Sequence, residues 1–116
     1  MSRDIYYSDY DDFAWFYNRY WGAVTANPPM LDALDRLLLS RLGREARLLD
    51  ICCGTGQLAA VLAERGFAVT GIDGSARQLE YARRNAPGCD FINADARDFD
   101  LPQIYDAALS LSLIHI

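Results

Sequence analysis

Leu48-Leu49-Asp50-Ile51-Cys52-Cys53-Gly54-Thr55-Gly56 is a short apolar run that ends in an acid and breaks into a glycine-rich turn. A helix-like stretch, Gln57 to Arg65, follows at once. An apolar run of this length bounded by glycine predicts a buried parallel strand. The two glycines let the backbone turn tightly and lie against a ligand. The next helix then points its unpaired N–H groups and positive dipole end at that ligand. The segment reads as a strand–loop–helix that holds a nucleotide-like cofactor.

Further along the chain, three more runs extend this pattern. Phe67 to Ile72 ends in Asp73, which lies 17 residues after Gly56. That is close to the roughly 20-residue spacing at which an acid on a second strand meets a ribose. Ser75 is the natural cap for a helix over Ala76 to Asn85, which leaves Asp73 for the ribose. Asp90-Phe91-Ile92-Asn93 leads into Ala94-Asp95-Ala96, and Tyr105 to Ser110 forms a fourth apolar run. Strands alternating with helices imply right-handed parallel crossovers and an α/β, doubly wound, Rossmann-like sheet.

Asp50-x-Cys52-x-Gly54-x-Gly56 resembles the first motif of the class I S-adenosylmethionine-dependent methyltransferases, an acid followed by G-x-G-x-G. Cys52 stands where the first glycine usually stands, and a slightly tighter loop is expected. The resemblance implies that S-adenosyl-L-methionine is the cofactor and that Asp50, Cys52, Gly54, Thr55 and Gly56 hold it, with Asp73 and Gly74 at the ribose. It also implies that Asp95 accepts from the adenine amino group and that the Ala96 N–H meets a ring nitrogen. The family's strand order is 3-2-1-4 for the four strands present. The reaction implied is methyl transfer to a small-molecule acceptor by a longer parent protein, of which this chain is an N-terminal fragment. No catalytic residue can be assigned, because the family places its substrate residues after strand 4.

Two other readings compete. Gly54-Thr55-Gly56-Gln57-Leu58-Ala59 also fits G-x-G-x-x-A, the fingerprint of an NAD(P)-dependent oxidoreductase, with Asp73 as the ribose acid. Against it stand the acid at the strand end, Asp50, the third acid, Asp95, and the long segment before the first strand. The other reading is a non-catalytic remnant or partner subunit, against which the intact set of Asp50, Gly54, Gly56, Asp73 and Asp95 argues.

Residues 1–44 read as an N-terminal helical cap or lid. Phe13, Phe16, Tyr17, Tyr20 and Trp21 recur at helical spacing, with Asp11 or Asp12 available as N-cap. An aromatic stripe of this kind is expected to be core. The stretch also resembles the Tyr-Asp-x-x-Ala-x-x-Tyr-Asp opening of many small-molecule methyltransferases, with Asn18 in place of the second Asp. That resemblance brings Tyr10 and Tyr17 near cofactor or substrate, where ring faces attract a sulfonium. Asn27-Pro28-Pro29 opens a second helix with Leu31, Leu34, Leu38 and Leu42 on its buried stripe and Gly43 as its stop. Glu80 and Arg84 are spaced as a surface i, i+4 pair.

Composition bounds the rest. The 116 residues allow one domain, and 52% hydrophobic content allows a packed core. Net charge −5 without a basic cluster gives no footprint for nucleic acid or an anionic membrane. All 11 basic residues are Arg. No run is long enough to span a bilayer and nothing signals export, so a cytoplasmic location is expected. Three cysteines make neither a disulfide framework nor a metal site, and a reactive thiol is not expected. The cofactor core is expected over 45–110. The last six residues, 111–116, look like a translated sequencing adapter, so native sequence is expected to stop at Ser110 and His115 to be an artefact.

Overall fold

The structure is a computed structural model that describes residues 11–97, 100, 101 and 104–111. Tyr10, His115 and the tail beyond Leu111 lie outside the described residues. At the centre is β1 (Arg47–Ile51), flanked by β2 (Ala68–Asp73) and β4 (Ala107–Leu109), with β3 (Asp90–Asn93) beyond β2. All three pairings are parallel and the order is β3-β2-β1-β4, as expected. The register sets Asp50 between Gly71 and Leu109, so the acid at the end of β1 sits in the middle of the sheet.

Alternation along the strands sorts their side chains onto two faces. Leu48, Val69, Phe91 and Leu109 join one cluster with Leu34, Leu58, Leu62, Leu79 and Ala82, which brings in α2 (Pro28–Leu37), α3 (Gln57–Glu64) and α4 (Ala76–Asn85). Leu62 and Leu79 have no exposed surface, and a leucine so placed contributes roughly 1.5–3 kcal/mol. Leu49, Ile72 and Ala94 form the other cluster, against which Leu101 and Tyr105 pack from the β3–β4 connection.

Two helices begin where they were expected. Ser75 caps α4 by accepting from the Gln78 N–H at 3.2 Å. Asn27 caps α2 by accepting from Met30 N–H at 3.0 Å, with Pro28 and Pro29 in the first turn. α2 ends earlier than its leucine pattern suggests. The chain leaves the helix at Leu38 (φ −135°), and a 3₁₀ turn over Leu39–Arg41 brings Leu39 into the core, so Leu42 and Gly43 lie beyond the stop. The Glu80–Arg84 pair does not form: Glu80 is 3.7 Å from Arg77, and Arg84 lies over the Tyr81 ring.

The aromatic stripe departs furthest from its periodicity. α1 (Ala14–Phe16) is a single turn and passes into a π-turn over Tyr17–Trp21, closed by Gly22 N–H on the Tyr17 carbonyl at 2.7 Å. The wider turn breaks the 3.6-residue repeat. Tyr17 is buried, whereas Tyr20 (59%) and Trp21 (48%) stay exposed, so the stripe is not core. Its rings pack on one another instead, with Phe13 on Phe16 at 5.6 Å and on Trp21 at 5.4 Å. Phe13 occupies the N-cap position without a capping side chain. Asp11 has been drawn elsewhere, to the start of α4.

Candidate cofactor site

The site lies at the carboxyl ends of β1 and β2. Cys52 (φ 61°), Gly54 (φ 61°) and Gly56 (φ 84°) are all left-handed, which folds the loop back on itself between strand and helix. For Cys52 this conformation is strained, by about 1–2 kcal/mol for a residue with a Cβ. The position therefore asks for glycine by backbone geometry. Cys52→Gly is expected to shift stability by less than about 1 kcal/mol, because relief of strain is offset by glycine's greater unfolded-state entropy. Cys52→Val is expected to lower it by about 1–2 kcal/mol. Urea denaturation of both variants measures this, and equal stabilities would contradict the strained turn.

The two motif glycines meet protein on the side where a Cβ would point. A Cβ on Gly56 would stand 2.9 Å from Ala82 Cα, so this glycine lets the loop pack on α4. A Cβ on Gly54 would stand 3.2 Å from Tyr17 Cε1 and 3.5 Å from Gln78 Oε1. Tyr17 thus lies over the loop. α3 begins at Gly56 with no capping side chain, which leaves its first-turn N–H groups and positive dipole end open to an anion.

Asp73 ties the loop to β2. Its carboxylate accepts from Gly54 N–H at 2.9 Å through Oδ2 and from Ser75 N–H at 2.9 Å through Oδ1. It is therefore not free, as the presence of Ser75 had suggested. A carboxylate has about four acceptor positions, so each oxygen keeps capacity for a hydroxyl donor. The Asp73 carbonyl in turn accepts from Ala94 N–H (3.1 Å) and Asn93 Nδ2 (3.0 Å), which brings the end of β3 alongside.

Asp50 is 2% exposed, and burial, then the Asp73 charge, push its carboxyl from 3.8 up to about 7. Asp73 is also raised by burial, but its two N–H donors pull it back down. Asp50 is consequently the more reluctant of the two to ionise. Burial, with help from Asp73, Asp50 and Asp95, pushes the Cys52 thiol up to about 11. A thiol that stays protonated at neutral pH is a poor nucleophile.

Asp95 is engaged differently from the expected free acceptor. It accepts from Arg97 N–H at 2.8 Å and from the Arg97 guanidinium at 2.6–3.2 Å, which holds its carboxyl down at about 2. Arg97 itself is a surface residue, so this ion pair is solvated. Ala96 follows in the same half-exposed turn, and Gly74 lies half-exposed between Asp73 and Ser75.

Several residues of this region escaped the sequence reading. Asp11 Oδ1 accepts from Ser75 Oγ at 2.6 Å and from Arg77 N–H at 3.1 Å, so the N-terminal segment caps α4. Asn18 Oδ1 accepts from Gln57 Nε2 (2.9 Å) and Asn85 Nδ2 (2.7 Å). Gly22 sits so close to Gln57 and Thr55 that a Cβ there would stand 2.5 Å from Thr55 Oγ1. The π-turn is fastened to α3 and α4 by these contacts, with Tyr17 on the loop between them. The hydrogen bonds among them join residues 39 to 67 positions apart, and no local pattern announces such pairs.

Residues 48–116 match the family described as methyltransferase domain. Trans-aconitate 2-methyltransferase of Enterobacter is 40% identical over 73 residues, which are 61% of this chain and 28% of that protein. A methyltransferase structure from Thiobacillus denitrificans, in complex with S-adenosyl-L-homocysteine, is 31% identical with TM-score 0.61, over 75% of this chain and 37% of that one. The sugar N-methyltransferase KedS8 from Streptoalloteichus is 28% identical with TM-score 0.67, over 97% of this chain and 43% of that one. Some relatives carry the name of uncharacterised RNA methyltransferases. The matches span 28–31% of the length of the first curated relatives. By its loop, its sheet order and these likenesses, the chain belongs to the class I methyltransferase family, whose cofactor is S-adenosylmethionine.

Proposed function

We propose that this chain supplies the S-adenosylmethionine site of an enzyme that methylates a small-molecule acceptor. The observation that carries the reading is the Asp73 carboxylate, fixed by Gly54 and Ser75 N–H groups where β2 meets the β1 loop. Ribose hydroxyls would donate to its remaining acceptor positions, and the Gly54-Thr55-Gly56 turn with the open end of α3 would take the cofactor's amino-acid carboxylate. Asp50, buried beside Cys52 and Asp73, would face the cationic part of the cofactor. Asp95 and Ala96 would take the adenine edge, with Gly74 beside the ribose. Residues 1–44 would act as the lid, with Tyr17 over the loop, and residues 45–110 as the core.

The bound cofactor supplies a methyl group already activated by its positive sulfur. The task left to the protein is to hold donor and acceptor in line and keep water away, and such positioning contributes roughly 7–11 kcal/mol. A general base is needed only where the acceptor must lose a proton. The absence of a basic cluster in a chain of net charge −5 favours a small acceptor over RNA. Likeness to KedS8 over 97% of the chain, lid included, supports the same choice. A cytoplasmic location fits the cysteines, none of which forms a disulfide among the described residues.

Calorimetric titration with S-adenosylhomocysteine tests the site, with NADH as competitor. Binding that NADH does not displace is expected. Binding of NADH alone would favour the oxidoreductase reading, for which Gly54-x-Gly56-x-x-Ala59 is the specific observation.

A further inference from the structure

The N-terminal segment is fastened to the cofactor core at two places. Asn18 Oδ1 accepts from Gln57 Nε2 on α3 and from Asn85 Nδ2 on α4. Asp11 Oδ1 accepts from Ser75 Oγ at 2.6 Å and from Arg77 N–H at 3.1 Å. Capping of α4 accounts for the Arg77 bond, because Arg77 N–H belongs to the first helical turn. It does not account for the bond to the Ser75 hydroxyl. Ser75 already caps the helix by accepting from Gln78 N–H at 3.2 Å. Its hydroxyl proton goes to Asp11, and the residue has no exposed surface. Its own N–H donates to Asp73 Oδ1 at 2.9 Å, while Gly54 N–H donates to Oδ2 at the same distance. Asp11, Ser75, Asp73 and Gly54 thus form a continuous row of hydrogen bonds. The row runs from the N-terminal segment to the ribose acid and the β1 loop.

Without Asp11 the buried Ser75 hydroxyl loses the acceptor for its proton, and a buried donor left unpaired draws its residue towards a new partner. Ser75 holds one oxygen of the Asp73 carboxylate, so that movement turns the carboxylate out of its set orientation. The Asp11 charge also reaches Asp73. Burial above all, with a further push from Asp11, raises the Asp73 carboxyl against the pull of its two N–H donors. A ribose that donates to Asp73 stabilises its charge and so eases the repulsion between the two acids. We propose that Asp11 is a positioning residue for the cofactor, acting through Ser75 on Asp73, and that it couples docking of the N-terminal segment to occupancy of the ribose site. This inference rests on the cofactor reading above and deepens it. The coupling is reciprocal: the docked segment raises affinity for a ribose, and a bound ribose tightens the segment.

The test is calorimetric titration of the 116-residue chain and its Asp11→Ala variant with S-adenosylhomocysteine and with its 2′,3′-dideoxy analogue. Asp11→Ala is expected to weaken S-adenosylhomocysteine about three- to tenfold, the worth of one hydrogen bond. The dideoxy analogue should bind both proteins equally, because it gives Asp73 no hydroxyl to meet. Asp11→Asn should recover most of the affinity, since its amide oxygen can still accept from Ser75 and Arg77. Trp15 and Trp21, the two tryptophans of the chain, lie on the segment and report its docking. S-adenosylhomocysteine should protect them from acrylamide quenching in wild type, and less so in the Ala variant at saturation. Equal affinity of wild type and Ala variant for S-adenosylhomocysteine would overturn the inference while leaving the cofactor site standing. An equal loss with the dideoxy analogue would also overturn it, by placing the effect of Asp11 away from the ribose. Equal tryptophan protection in both proteins would overturn the coupling. No binding by wild type would instead remove the cofactor reading, and the inference with it. Asp11→Ser repeats the measurement should the Ala variant fail to fold.

Discussion

Asp50→Asn is expected to stabilise the ligand-free chain by about 2–4 kcal/mol at pH 8 and to change nothing below pH 4. A carboxyl moved from 3.8 to about 7 has its charged form disfavoured by roughly 4 kcal/mol in the fold. The group's contribution to stability is fully present below the unfolded value near 3.8 and is lost as pH rises through about 7. Between those values the folded chain binds the proton that the unfolded chain has released, so wild type loses stability as pH increases. The Asn variant carries no such proton, and the gap between the two proteins opens across that window. The groups that face Asp50 are Asp73, whose charge adds to the shift, and the Cys52 and Cys53 thiols, both raised by burial and uncharged through the window. Urea denaturation at pH 4 and pH 8 measures the gap. A constant difference at both pH values would mean that Asp50 ionises normally. Binding of a cationic cofactor should reverse the shift and expel the proton, which calorimetry in buffers of different ionisation enthalpy reads directly.

The elements legible beforehand are those with a local cause. The four strands announced themselves as apolar runs, and α4 was marked by Ser75 at its start. The parallel order follows from alternating elements and the handedness of crossovers. Cys52 was visible as a departure from a glycine, although its strain depends on a φ of 61° that residue identity does not specify. Failures cluster in the N-terminal segment. There an aromatic repeat, correct as a pattern, is broken by a π-turn that the docking of Gly22 and Asn18 on α3 and α4 holds in place. Asp11 illustrates the same limit: its sequence position suits a cap for its own helix, but the stronger demand lies at the α4 N-terminus 64 residues away.

Asp73→Ala is expected to weaken S-adenosylhomocysteine binding about 100-fold or more, the largest loss among substitutions in the site. Hydrogen bonds to a charged acceptor are worth about 1.5–3 kcal/mol each, and a ribose offers two donors. The structure adds a second loss. Alanine also releases Gly54 N–H and Ser75 N–H, so the β1 loop loses its tie to β2 and the start of α4 loses one of its anchors. Stability of the ligand-free chain should therefore fall by about 1–2 kcal/mol, partly offset by relief of Asp50, whose proton is held in part by the Asp73 charge. Asp73→Asn separates the two effects. One amide oxygen can still accept from a backbone N–H, while the amide nitrogen faces the other N–H and cannot accept from it. The Asn variant should therefore keep part of the stability and still lose most of the affinity, because the charge that strengthens the ribose contacts is gone. Affinity unchanged in both variants alongside lowered stability would make Asp73 an anchor of the loop and nothing more. In that case the acceptor for the ribose would have to be sought elsewhere on the β2–α4 turn.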